Sequence, residues 1–181
     1  MSDQILENVN TWLNDVVIGL NLCPFAAKPQ RQKQVHLDIF SGNKDVDLLE
    51  HVQNALLDLE KIPVEKRETT VIIIPNHLQN FEDYNNFLDY ADKLLEQEDW
   101  HGIIQIASFH PDYQFAGTQK QDAENLTNRA PYPLLHLIRE DSLEEAISKF
   151  PDPENIPHTN ILRMQALTEQ EKIKLFPYLY K

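Results

Sequence analysis

Apolar side chains recur along this chain at two different periods, and the change from one to the other marks out its elements. Ile5, Val9, Trp12, Leu13, Val16 and Leu20 fall three or four residues apart and predict one helical stripe, capped by Ser2 or Asp3 and ending near Gly19 and Asn21. "QVHLDIF" then alternates, with Val35, Leu37 and Ile39 on one side, as in a half-buried strand. Leu49, Val52, Leu56 and Leu59 return to helical spacing between Asp45 and Glu60. "TTVIIIP" is apolar on both sides, which suits a central strand. Asn80, with Asp83 three residues on, opens a helix burying Phe81, Tyr84, Leu88, Ala91 and Leu95. "GIIQIASF" and "PLLHLIRE" read as two further strands. Asp141 with Glu144 predicts a capped helix carrying Leu143, Ala146, Ile147 and Phe150, stopped by Pro151 and Pro153. Two short helices are expected from Ile156 to Phe176, the second opened by Thr168 with Glu171.

Strands and helices in alternation give the βαβ rhythm of an α/β fold. The expectation is one domain over residues 1–181, with a four-stranded, mostly parallel sheet and packed helices. Right-handed crossovers make the first three strands parallel. The fourth fits beside either edge, in either direction.

Between the third and fourth strands, residues 109–133 show neither period, and a compact domain seldom keeps so long a loop without a use for it. Ligands of open parallel sheets bind beyond the carboxyl ends of the strands, and this loop starts at such an end. His77, in the loop after the second strand, falls at the same rim. His110 and Asp112 flank Pro111, which fixes the backbone between them, so His110 is a candidate general acid/base oriented by Asp112. Tyr113 and Phe115 can wall a pocket, and Gly117 permits a tight turn. Asn125, Asn128 and Arg129 offer donors to an anionic group. The competing reading is an Ω-loop held together by its own aromatics.

Cys23 precedes Pro24. If a helix starts at that proline, free amides would stabilise a thiolate at Cys23 and suit a nucleophile or redox thiol; otherwise it is a small buried hydrophobe beside Leu22 and Phe25. His136 shares a strand side with Leu134 and Ile138, as a hydrogen-bonded core histidine or a ligand-binding one, and Arg139 at the strand end can orient the loop. A metal site built from His110, Asp112 and His136, with or without Cys23, is the alternative chemistry, although no pair has helical ligand spacing. A third alternative is a non-enzymatic scaffold whose loop polar groups bond one another and leave no cavity.

Charge and composition narrow the partners. The 29 acidic side chains exceed the 16 basic ones, a formal net charge of −13, which repels nucleic-acid backbones and anionic lipid. A small-molecule ligand, anionic if Arg129 clamps it, is expected instead. One cysteine allows no intrachain disulfide and fits a reducing, cytoplasmic setting. The start "MSDQILENVNTW" lacks the basic and apolar regions of a secretory signal, and the run "VIII" is too short to span a bilayer. There is no GxGxxG, Walker loop, HExxH, CxxC or GxSxG, so those nucleotide, zinc-protease and hydrolase frameworks are excluded in their usual forms.

The blocks "GLNLCPFA", "ASFHPDYQFAGT" and "TNRAPYPLLHLIRE" closely resemble those of a bacterial family catalogued as domain of unknown function 1415. The likeness runs from "TWLNDVVIGLNLCPFA" to about "NILRM". It implies that Cys23, His110, Pro111, Asp112, Tyr113, Asn128, Arg129, Tyr132, His136 and Arg139 occupy family motif positions. It implies no particular activity, cofactor or substrate.

Overall fold

A computed structural model describes residues 2–180. Its sheet is built on β2 (Thr69–Ile73), every residue of which is buried. β1 (Val35–Ile39) pairs with β2 in parallel, from Val35 opposite Thr69 to Ile39 opposite Ile73. β4 (Leu134–Arg139) lies on the other side of β2 and runs antiparallel to it, and β3 (Ile104–Phe109) completes the sheet beyond β4, again antiparallel to it. The spatial order is therefore β1-β2-β4-β3.

The expected mostly parallel sheet needs correcting. The first three strands do point the same way, but two of the three ladders are antiparallel and the sheet is mixed. The cause lies in the fourth strand and the loop before it. Leu134, Leu135 and Leu137 project to both sides of β4 and are fully buried, so the strand needs an interior place. The loop leaves β3 and returns at the same rim, which allows an antiparallel neighbour without a crossover.

Side-chain alternation divides the core in two. On the first face, α3 (Asp45–Lys61) and α4 (Phe81–Gln97) lay Leu48, Val52, Leu56, Tyr84 and Phe87 on Ile72, Leu135 and Leu137. On the second, α1 (Ser2–Trp12) and the π-helical segment that continues it (Leu13–Ile18) lay Val9, Trp12 and Val16 on Val71, Ile73 and Leu134. Met164 of α6 (Ile156–Ala166) and Phe176, just after α7 (Glu169–Leu175), join this second cluster. Val35, Leu37 and Ile39 pack against it as their alternation predicts.

The first helix thus departs from the regular α-helix expected of it. The Gly19 amide reaches back five residues to the Asn14 carbonyl at 2.9 Å, and Leu22 does the same to Val17 at 2.9 Å. A side chain at Gly19 would sit 2.4 Å from the Asp15 carbonyl oxygen, so only glycine allows so close an approach there. Four caps are expected from the sequence: Ser2 and Asp3 both lie inside the first turn of α1, whose cap position is outside the described residues, and two of the other three hold. Asn80 accepts hydrogen bonds from the Glu82 and Asp83 amides, and Thr168 with Glu171 forms a capping box. Asp141 does not cap: β4 runs directly into α5 (Glu140–Ser148), which places Asp141 inside the first turn, where its charge complements the helix dipole. No described helix is long and apolar enough to cross a membrane.

Candidate functional site

The loop after β3 is an ordered body. A 3-10 turn, Ala123–Asn128, interrupts it, and Gly117 makes its tight turn at φ +81°. Asn125, fully buried, staples it together: its Oδ1 accepts from the Phe115 amide at 2.9 Å and the Thr118 hydroxyl at 3.0 Å, and its Nδ2 donates to the Gln119 carbonyl at 2.7 Å. Arg129 spans the same loop, donating from Nη2 to the Lys120 carbonyl at 2.7 Å and from Nε to the Tyr113 carbonyl at 3.3 Å. Its own carbonyl accepts from the Trp12 indole and the Tyr178 hydroxyl, both at 3.0 Å.

His110 anchors the loop's first turn. It is 0% exposed, stacked among Phe81 and Tyr84 on the first face. Its Nε2 donates to the Leu78 carbonyl at 3.0 Å, and its Nδ1 accepts from the Asp112 amide at 2.9 Å. Only the neutral Nε2–H form satisfies both partners. Burial pushes its pKa down, with the Leu78 hydrogen bond and the Asp112 charge acting in opposition. Asp112 meets His110 through its backbone amide; its carboxylate is half exposed and meets Lys120 at 3.2 Å. His77 pairs with Asp45 of α3 at 2.7 Å.

The remaining candidates spread over both faces. His136 lies on the second face, against Thr69 at 2.6 Å; the Thr69 hydroxyl donates to the Leu137 carbonyl, so the histidine Nε2 is the donor to it. Burial lowers the His136 pKa to about 4. Arg139 points to the first face, where Nη2 donates to the Leu59 and Ile62 carbonyls and closes the end of α3. The Tyr132 hydroxyl accepts from Asn8 at 2.9 Å. Tyr113 packs at a tilt against Phe81 and edge-on against Phe115. Among the described residues, no three metal-ligating side chains come together, and the proposed set of His110, Asp112, His136 and Cys23 does not form a cluster.

One hollow does lie at this rim. It measures about 490 Å³, within the usual range of small-molecule pockets. Phe109, the last residue of β3, forms part of its wall, and the loop adds Phe115, Glu124, Thr127 and Asn128. Val17, Leu22 and Cys23 close it from the end of the π-helical segment, and Pro157, Asn160 and Ile161 of α6 close it from the other side. Of the residues that the sequence singles out as catalytic or ligand-binding, the hollow brings together Cys23 and Asn128, with Phe115 beside them; His110, Arg129 and His136 are not among its lining residues. A smaller hollow of about 170 Å³ adjoins it, shares Asn160, and includes Arg163, which donates to the Asn21 carbonyl at 2.8 Å.

Cys23 is half-buried. No helix starts at Pro24: residues 23–26 make a turn in which the Ala26 amide donates to the Cys23 carbonyl at 3.2 Å, and the short α2 (Ala27–Arg31) follows. Burial pushes the Cys23 thiol up, outweighing the hydrogen bonds from the Phe25 and Ala26 amides that pull it down. The thiol is protonated at neutral pH. Asn160 holds the Leu22 carbonyl through Nδ2 at 2.7 Å, and its Oδ1 is buried without a partner.

The wall supplied by α6 is what reading the sequence missed. Pro157, Asn160 and Ile161 are spaced as one helical stripe, which was the available signal, but nothing in that spacing tells a core face from a pocket face. Neither a curated protein nor a solved structure matches the chain. The family model described as "Protein of unknown function (DUF1415)" matches residues 4–174, and the chain belongs to that family.

Proposed function

We propose that this protein binds a small, largely apolar molecule in the hollow beneath the loop, beside the Cys23 thiol. One observation carries the reading: the loop's polar side chains are bonded to its own backbone, yet a hollow of about 490 Å³ persists between the loop, α6 and Cys23. A loop built only to pack would fill that space, since protein interiors close to the density of organic crystals. Six of the lining residues are apolar: Val17, Leu22, Phe109, Phe115, Pro157 and Ile161. A thiol held in its neutral form is a weak nucleophile, so the site is better suited to recognition than to attack. His110 and Arg129 serve the site indirectly by fixing the loop that forms its roof.

A screen of small apolar compounds by thermal shift tests this reading. A compound at about a hundred times its Kd stabilises by about 2.7 kcal/mol, a shift of several degrees for a chain of this size. Genuine occupants should also slow alkylation of Cys23 and lose their shift in Ile161→Trp, which fills the hollow. If no compound raises the melting temperature, or if the shifts survive Ile161→Trp in a folded variant, the proposal fails.

A further inference from the structure

We infer that the occupant of this hollow carries its polarity as a cation, an alkyl or aryl amine, and not as the anion that Arg129 suggests in the sequence. The inference rests on reading the hollow as a ligand site and adds the chemistry of the ligand. Among the described residues, Glu124 supplies the one acidic or basic side chain that lines the hollow, and no cationic side chain lies within ion-pair distance of its carboxylate. The nearby basic groups of the loop are engaged elsewhere: Arg129 with two carbonyls and Lys120 with Asp112.

Donors and acceptors in the wall are unequally matched. The Asn128 amide nitrogen donates to the Ser108 carbonyl at 3.1 Å, and that of Asn160 to the Leu22 carbonyl. The Thr127 hydroxyl lies 2.7 Å from the Glu124 carbonyl and 3.0 Å from Asn128 Oδ1. The acceptor left over is the Glu124 carboxylate, which accepts no hydrogen bond from the described residues; Asn160 Oδ1 also lacks a partner but is buried away from the open space. A site with one unpaired carboxylate and apolar walls matches a donor-bearing cation on an apolar body. A carboxylate placed there would meet Glu124 with no countercharge. The net charge of −13 adds a field of the same sign, which favours arrival of a cation.

Octylamine, 1-octanol and octanoate share a chain and differ in the head group, so calorimetric titration of the intact protein with each at pH 7 separates the possibilities. The amine is expected to bind about tenfold tighter than octanoate, with octanol between them. Glu124→Gln is expected to bring the amine-to-octanol affinity ratio close to one. Octanoate binding as tightly as the amine, or tighter and dependent on Arg163, overturns the cation inference while leaving the hollow as a ligand site. An amine preference that survives Glu124→Gln overturns it as well, because the general acidity of the surface would then explain the preference. If none of the three binds, the reading of the hollow as a ligand site falls with it.

Discussion

The two faces of the sheet are built to different standards. On the first, α3 and α4 close over Ile72, Leu135 and Leu137 with Leu48, Val52, Leu56 and Leu59 fully buried, and Tyr84 ties the layers together: its hydroxyl donates to the Leu134 carbonyl at 2.6 Å and accepts from the Phe109 amide at 3.1 Å. On the second, a helix changes to π geometry, a cysteine turn follows, and α6 stands off far enough to leave the hollow. Stability and vacancy are thus assigned to opposite sides of one layer. The first face can hold the loop's root at His110 while the second keeps room for a ligand.

The largest effects should separate the faces directly. Leu56, 0% exposed in the first cluster, leaves a new cavity when cut to alanine, and Leu56→Ala should cost about 2–5 kcal/mol in urea unfolding. Ile161 already borders empty space, so Ile161→Ala creates no new void within packed atoms and should cost about 1 kcal/mol. Equal losses would mean that the two faces are packed alike and that the hollow closes in solution.

Next comes the root of the loop. His110→Ala removes the partner of the buried Leu78 carbonyl and of the Asp112 amide, each worth about 1–3 kcal/mol when left unpaired. A total loss of about 2–4 kcal/mol is expected, together with faster proteolysis between residues 111 and 127. Unchanged stability would show that the histidine does not anchor the loop, and would restore it as a candidate for chemistry.

What the sequence made legible follows from the range of the forces involved. Alternation in Val35, Leu37 and Ile39 and the caps at Asn80 and Thr168 are local signals, and the structure repeats them. Strand order is not local. The sequence put "LLHLIR" beside either edge in either direction, whereas the structure sets it between β2 and β3, a placement that depends on a pairing across the whole sheet. The π-helical segment was hidden because the apolar stripe continues through it, and what distinguishes it are the hydrogen bonds that reach back five residues from Gly19 and Leu22. At the site, three residues that their types singled out, Cys23, Phe115 and Asn128, line one hollow. The roles of His110 and Arg129 were not legible, because the partners that engage them are backbone carbonyls and an amide, which carry no residue signature.

A pH dependence sets one histidine on each face against the other. His136 on the second face is held neutral by burial, with its pKa down at about 4 against an ordinary 6.5. Lowered in the fold, it makes the unfolded chain the better proton acceptor below pH 6.5, so the stability it allows is complete above that value and is lost as pH falls towards 4. At about 1.4 kcal/mol per pH unit the loss is roughly 2 kcal/mol by pH 5, and the lowered His110 acts in the same direction. His51 on the first face has the opposite sign. Its hydrogen bond to Asp38 at 2.9 Å raises its pKa, so its contribution is present below 6.5 and disappears as pH rises through the raised value. Both partners are about 30% exposed, which keeps that contribution below about 1 kcal/mol. The carboxyl of Asp38, held low by the same bond, matters only as pH falls below its ordinary 3.8 and lies outside this window. Urea unfolding at pH 7 and pH 5 should therefore show the protein losing stability on acidification, His136→Gln losing less, and His51→Gln losing more. A His136→Gln variant with the full acid loss would mean that this half-buried histidine is not held neutral by the fold, and that the acid sensitivity arises elsewhere.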